Sequence, residues 1–164
     1  MESTYCEWSV KRRKTVASLV IKVLMIAVVI ALMLSTVILP WFAIGGLVAA
    51  GFVIWYWPRF DIMWEYVYVD GQIDFDEIFG GEKRKTVLRI EIEEADAVAP
   101  ADSEKLAGYR HLPVKNFTSL EEGARVYGIA TRIPGKEEKV LIMFEPSDKM
   151  LDMIRDKAPR IIER

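Results

Sequence analysis

The chain has 164 residues, a formal net charge of −2, one cysteine and one histidine. That length holds one membrane unit and one small domain, and the lone Cys6 and His111 exclude an intrachain disulfide or a Cys/His metal cluster. The charge is split: before Arg59, Lys11, Arg12, Arg13, Lys14 and Lys22 outweigh Glu2 and Glu7 by +3, whereas from Arg59 onward 17 basic residues against 22 acidic ones leave −5, which disfavours nucleic acid as a partner.

Residues 1–14 form a basic N-terminus that is expected to be mobile and to carry Cys6. Lys11-Arg12-Arg13-Lys14 stands directly before a long apolar segment. From Val23 to Pro58, 36 residues carry no charge. As one helix this run would be about 54 Å long against a hydrocarbon core of about 30 Å, so it is read as two spans. Leu39-Pro40-Trp41 supplies the turn, because proline has no N–H and disfavours helix in the residue before it. The expected hairpin covers 15–58, with spans at about 15–39 and 41–57.

Positive charge on both flanks and none in the turn predicts a multi-pass protein of the cell (inner or plasma) membrane, with both termini cytoplasmic. Lys22 can snorkel back to the same interface, and Trp55, Tyr56, Trp57 and Trp41 suit the two aromatic belts. A cleaved signal peptide fits poorly, because the apolar stretch is too long and lacks a small-residue cleavage site. Ala27, Ala31 and Ser35 on the first span and Gly46 and Ala50 on the second recur every four residues. That spacing allows close helix packing, either within the hairpin or in a dimer.

Beyond a short linker, residues 64–158 read as an α+β domain. Trp64 to Val69 and Gln72 to Phe79 flank Asp70-Gly71, a strong hairpin signal. Gly80-Gly81 leads to a third strand in which Leu88, Ile90 and Ile92 alternate with Arg89, Glu91 and Glu93, so one face is buried and the other wet. Ala95–Ala99 extends it or forms a short further strand. One helical turn is expected near Lys105, a brief strand over Lys115–Thr118, a better one over Arg125–Ile133, and another over Lys139–Phe144 after the Pro134–Glu137 turn. Ser147 then caps a helix whose stripe is Met150, Leu151 and Ile154, ended by Ala158-Pro159, with 159–164 as a tail.

A meander of six or seven strands closed by a C-terminal helix resembles the pleckstrin-homology-like barrel. The chain is more closely similar to an uncharacterised family of small bacterial membrane proteins with two N-terminal transmembrane helices and a domain of this kind. Tyr66-Val67-Tyr68, Gly71 to Asp76, Lys83-Arg84-Lys85 and Ala97-Val98-Ala99-Pro100 carry that likeness. The resemblance implies an antiparallel barrel with a helical plug and no particular activity; a binding role follows by analogy of fold.

No constellation in the chain points to catalysis. Asp70 to Glu77 imitates half of a calcium loop, but Tyr66 and Tyr68 stand where the leading carboxylates belong, and strands replace the flanking helices. Glu91, Glu93, Glu94 and Asp96 read as a solvated strand face without a nucleophile, and Gly80-Gly81 lacks the spacing of a phosphate loop. Lys11, Arg12, Arg13 and Lys14, together with Lys83, Arg84 and Lys85, are the candidate contacts for lipid headgroups. Solvation and membrane topology explain the same residues equally simply.

The expected function is a non-enzymatic, membrane-anchored cytoplasmic binding or scaffold module without cofactor or metal. Its expected partners are the lipid bilayer and a protein or a second copy of itself, with no nucleic acid. Two alternatives stand beside it: an accessory subunit that binds through its transmembrane hairpin, and an enzyme.

Overall fold

The computed structural model describes residues 5–81, 83–136 and 138–163. Helix α1, Val16–Ser35, and helix α2, Phe42–Tyr56, form a hairpin, and α2 runs on through a 3-10 turn at Trp57–Phe60. Both are long and apolar enough to cross a membrane, over Val16–Ser35 and Phe42–Phe60. The turn is wider than Leu39-Pro40-Trp41 alone suggests. The last N–H bond back into α1 runs from Leu39 to the Ser35 carbonyl at 3.1 Å, and the Phe42 N–H bonds the Leu39 carbonyl at 3.0 Å. Half-buried Lys22, Met25, Val29 and Leu32 line the inner side of α1. Gly46 is buried in α2, and a Cβ there would lie 3.2 Å from Cε of Met33.

Strands β1 (Tyr5–Lys11), β2 (Ile62–Val69), β3 (Gln72–Phe79) and β4 (Lys83–Glu91) form one antiparallel sheet in that order. Asp70 and Gly71 both take positive φ, 47° and 99°, as the two-residue loop between β2 and β3 requires. The N-terminus differs from the mobile tail expected of it. β1 pairs with β2 along its whole length, from Tyr5↔Val69 to Lys11↔Met63, and Cys6 is buried against the core. Helix hairpin and sheet are therefore interleaved: the chain enters the sheet, leaves it through α1 and α2, and returns beside its own first strand.

A second sheet contains β5 (Ala97–Pro100), β6 (Val114–Asn116), β7 (Tyr127–Arg132) and β8 (Lys139–Phe144), ordered β5-β7-β8-β6. It is not a simple meander, because β6 runs parallel to β8. Helix α3, Asp148–Lys157, starts where expected: the Ser147 hydroxyl accepts the Met150 N–H at 3.3 Å, and Met150, Leu151 and Ile154 are buried. Among the described residues the strands do not close into a barrel. A 3-10 turn at Ile92–Glu94 interrupts the path from β4 to β5. The free edge of β5 is then taken by the C-terminal tail, whose Ile162 bridges Val98 in parallel. With both its edges occupied, β5 cannot join β4.

The two sheets and α3 share one core. At its centre Phe75 stacks on Phe117 with ring centroids 4.8 Å apart and meets Tyr66 and Phe144 edge-on. The second sheet is covered on its outer face too, where Leu106 of the 3-10 segment Glu104–Tyr109 packs on Ala97, Ala99, Ala130 and Leu141. Small residues allow that close approach. At Gly128 a Cβ would sit 2.5 Å from Cδ1 of Leu106, so only glycine fits without displacing a buried side chain.

Candidate functional site

The register of β1 brings the basic segment to the base of the hairpin. The Arg12 N–H donates to the Ile62 carbonyl at 3.0 Å and the Arg13 N–H to the Ser119 carbonyl at 2.7 Å, so the leader is docked up to the start of α1. Ser119 is itself held by Glu145, whose carboxylate accepts both its N–H and its hydroxyl at 2.7 and 2.8 Å. Arg13 pairs with Glu122 at 3.0 Å and Lys14 with Asp61 at 3.8 Å.

From the other side, the β3–β4 turn reaches the same place. Gly80 has φ of +58°, and a Cβ on it would lie 2.8 Å from Cβ of Pro58 at the end of the hairpin, so a side chain is barred there by both backbone and space. Lys83 thereby joins Trp55, Pro58, Arg59, Phe79 and Gly80 around a cleft of about 440 Å³. A neighbouring cleft of about 150 Å³ is lined by Arg12, Arg13, Lys14, Ser18, Arg59 and Phe60 among others. Arg12, Arg13 and Lys14 of one basic cluster and Lys83 of the other, some seventy positions away in sequence, thus flank one collar, and Arg59 belongs to both clefts.

Cations and aromatic rings interleave along the hairpin side of this collar. The Arg59 guanidinium lies 4.2 Å from the Trp55 ring centroid and 5.3 Å from that of Tyr56. The Lys22 ammonium lies 4.9 Å from Trp57 and 5.1 Å from Phe60, which carries its charge from inside α1 toward the foot of α2. Among the described residues, Arg12, Arg59 and Lys83 have no carboxylate within ion-pair distance.

The remaining members of the two clusters have other contacts. Arg84 reaches across the first sheet to Glu65 and, at 2.9 Å, to Asp76, with Glu7 at 3.8 Å. Both Glu65 and Asp76 are buried, so their charge is met from the sheet's own edge strand. Lys85 stands opposite Glu77 in the register. Burial raises the Glu77 carboxyl above the usual carboxylate range, while Lys85 and Arg12 act in the opposite direction. Lys11 lines a third cleft, with Asp61, Met63 and Gly80.

The small-residue stripe divides. Gly46 and Ala50 lie on the inner side of α2, Ser35 is half-buried near the turn, and Ala27 and Ala31 face outward from α1. The Ser35 hydroxyl is spent within its own helix, donating to the Ala31 carbonyl at 2.8 Å.

At the far end of the domain the acidic residues are solvated and partnered. Asp74 takes two bonds from Arg89 at 2.7 and 2.6 Å, Asp96 pairs with Lys139 at 2.6 Å, and Asp70 and Glu93 share Lys157 at 3.6 and 3.4 Å. The calcium-like stretch is the β2–β3 hairpin, and His111 is exposed in a loop. No group of three or more metal-binding side chains occurs among the described residues.

Sequence reasoning missed three features. Cys6 is buried with its Sγ 3.7 Å from the Ser147 hydroxyl, so it stands against the cap of α3. The Tyr66 hydroxyl donates to the Phe117 carbonyl at 2.6 Å and accepts the Glu145 N–H at 3.4 Å, joining the two sheets; burial holds its pKa well above the ordinary tyrosine value. Arg59 escaped notice as a site residue because one arginine after an apolar run reads as a topology signal alone.

Comparison with known proteins places this arrangement. The family model described as "Bacterial PH-like domain (DUF6106)" matches residues 2–164, the hairpin included. No curated protein and no solved structure matches the chain.

Proposed function

The chain belongs to this family of bacterial PH-like domains, and from that premise we propose a non-enzymatic binding module anchored in the cell membrane by α1 and α2. Both termini and the domain lie in the cytoplasm, and the uncharged turn lies outside. The observation that carries the reading is the β1–β2 pairing. It stitches both ends of the hairpin into one sheet, which requires them to be on one side of a bilayer, and it sets the basic collar where the helices would emerge. Anionic headgroups contribute about 1 kcal/mol for each basic residue held at such a surface.

A protein partner would meet the exposed strand edges. All three residues of β6 are exposed, and Val87 on β4 presents an apolar side chain at the rim of the first sheet. Strand addition uses such edges. The accessory-subunit alternative is favoured by a different observation, the outward-facing Ala27 and Ala31 on α1.

Photocrosslinking in intact cells separates the two. With a photoreactive residue at Val87 or Val114, the expected result is a discrete protein adduct from the domain and only lipid or self adducts from position Ala31. A protein adduct confined to position Ala31, lost when Ala27 and Ala31 become leucine, would overturn the domain reading in favour of the hairpin.

A further inference from the structure

The hairpin has an apolar groove on one side, about 600 Å³ in volume, lined by Ile21, Met25, Val28 of α1 and Val48, Phe52 and Tyr56 of α2 among others. Its Tyr56 end lies beside the basic cleft. Ser18 lies one helical turn before Ile21, and Tyr56 touches Phe60 edge-on with centroids 5.4 Å apart. Arg59 lies over the Tyr56 ring that ends the groove, and it lines the cleft together with Arg12.

The opening turn of α1 lies at this cleft through Thr15 and Ser18. Thr15 caps it without a side-chain hydrogen bond, which leaves first-turn N–H groups available to an anion. An apolar groove of acyl-chain size, ending at an uncapped helix start and at two arginines that form no close ion pair among the described residues, Arg12 feeling Glu77 only through longer-range attraction, has the polarity of a phospholipid.

We propose that the groove and the Arg12–Arg59 cleft together hold one anionic phospholipid, an acyl chain lying between α1 and α2 and the phosphate at the two guanidiniums. Charge complementarity selects the occupant. A neutral or zwitterionic lipid fits the groove equally well but brings no net negative charge to Arg59 and Arg12, of which Arg12 has only the longer-range attraction of Glu77. A transmembrane helix from a partner would fill the groove and offer nothing to the cleft. The inference rests on the membrane-anchored reading and deepens it.

Native mass spectrometry of the full chain, purified in detergent and exposed to equal amounts of phosphatidylglycerol and phosphatidylcholine, reads the selectivity. The expected result is one retained phosphatidylglycerol, favoured by about thirtyfold. Arg12→Gln with Arg59→Gln should lower that preference to parity, and Val48→Trp should remove lipid retention while both arginines stay. Both variants should keep the wild-type unfolding midpoint, since the altered side chains lie outside the core.

Equal retention of the two lipids, or undiminished phosphatidylglycerol in the double arginine variant, would overturn the proposal. So would its displacement by millimolar inorganic phosphate, which would make the cleft a site for free anions. The crosslinking result at Val87 and Val114 is independent of this outcome, so the two readings can fail separately.

Discussion

Phe75→Ala is expected to destabilise the domain by about 4 kcal/mol, the usual cost of emptying a buried phenylalanine site. The side chain is fully buried and touches three other rings, two from the far side of the core: Phe117 from the loop after β6, Phe144 from β8, and Tyr66 from the neighbouring strand. The resulting cavity would lie between the two sheets. Because no hydrogen-bonded ladder among the described residues joins those sheets into a barrel, side-chain packing and the Tyr66 hydroxyl carry much of their union. Small domains have only about 5–15 kcal/mol of stability, so the alanine variant is expected to accumulate poorly in cells; Phe75→Leu, at about 1 kcal/mol, keeps the comparison measurable. Urea unfolding of the detergent-solubilised chain gives both values. A loss below about 1 kcal/mol for alanine would show that this cluster does not join the sheets.

Arg84→Met is expected to cost about 3 kcal/mol, toward the lower end of the range for breaking a buried ion pair because the arginine itself is half exposed. The cost arises from what is left behind. Glu65 and Asp76 stand opposite each other in the β2–β3 register, both are buried, and Arg84 is their shared cation. Removing it leaves two like charges side by side at low exposure. Combining Arg84→Met with Glu65→Gln and Asp76→Asn should therefore recover most of the loss, since the repulsion and the uncompensated charge disappear together. Unfolding measurements on the single and triple variants check this. A single variant within about 0.5 kcal/mol of wild type would mean that water compensates the two carboxylates without the arginine.

Features written in neighbouring residues were legible before any coordinates. The hairpin follows from an uncharged run too long for one span, the β2–β3 turn from Asp70-Gly71, and the start of α3 from Ser147 with Asp148 behind it. What stayed hidden depends on pairing between distant segments. β1 does alternate, with Cys6, Trp8 and Val10 facing one way, but its partner β2 begins after the whole helical hairpin, and seven residues beside a basic cluster read as a tail. The parallel β6–β8 pair and the tail's bridge to Val98 are likewise non-local, and the second of these explains why the expected barrel stays open.

The candidate site shows the same division. Lys11 to Lys14 and Lys83 to Lys85 are visible as two basic runs, but only the β1 register and the Gly80–Pro58 contact bring Arg12, Arg13, Lys14 and Lys83 to one collar. The acids that engage Arg84 sit on three other strands, so the sequence could not distinguish that arginine from its lysine neighbours.

The central claim is that α1 and α2 cross the membrane as a hairpin, with the β1-containing domain on the cytoplasmic side. Its most direct test is labelling with a membrane-impermeant maleimide, using single cysteines at Trp41 in the turn and at Lys136 in the β7–β8 loop, with Cys6 replaced by alanine. The prediction is that the cysteine at position 41 reacts in intact cells, whereas the one at 136 reacts only after permeabilisation. Labelling of 136 in intact cells, or of 41 only after permeabilisation, would contradict it.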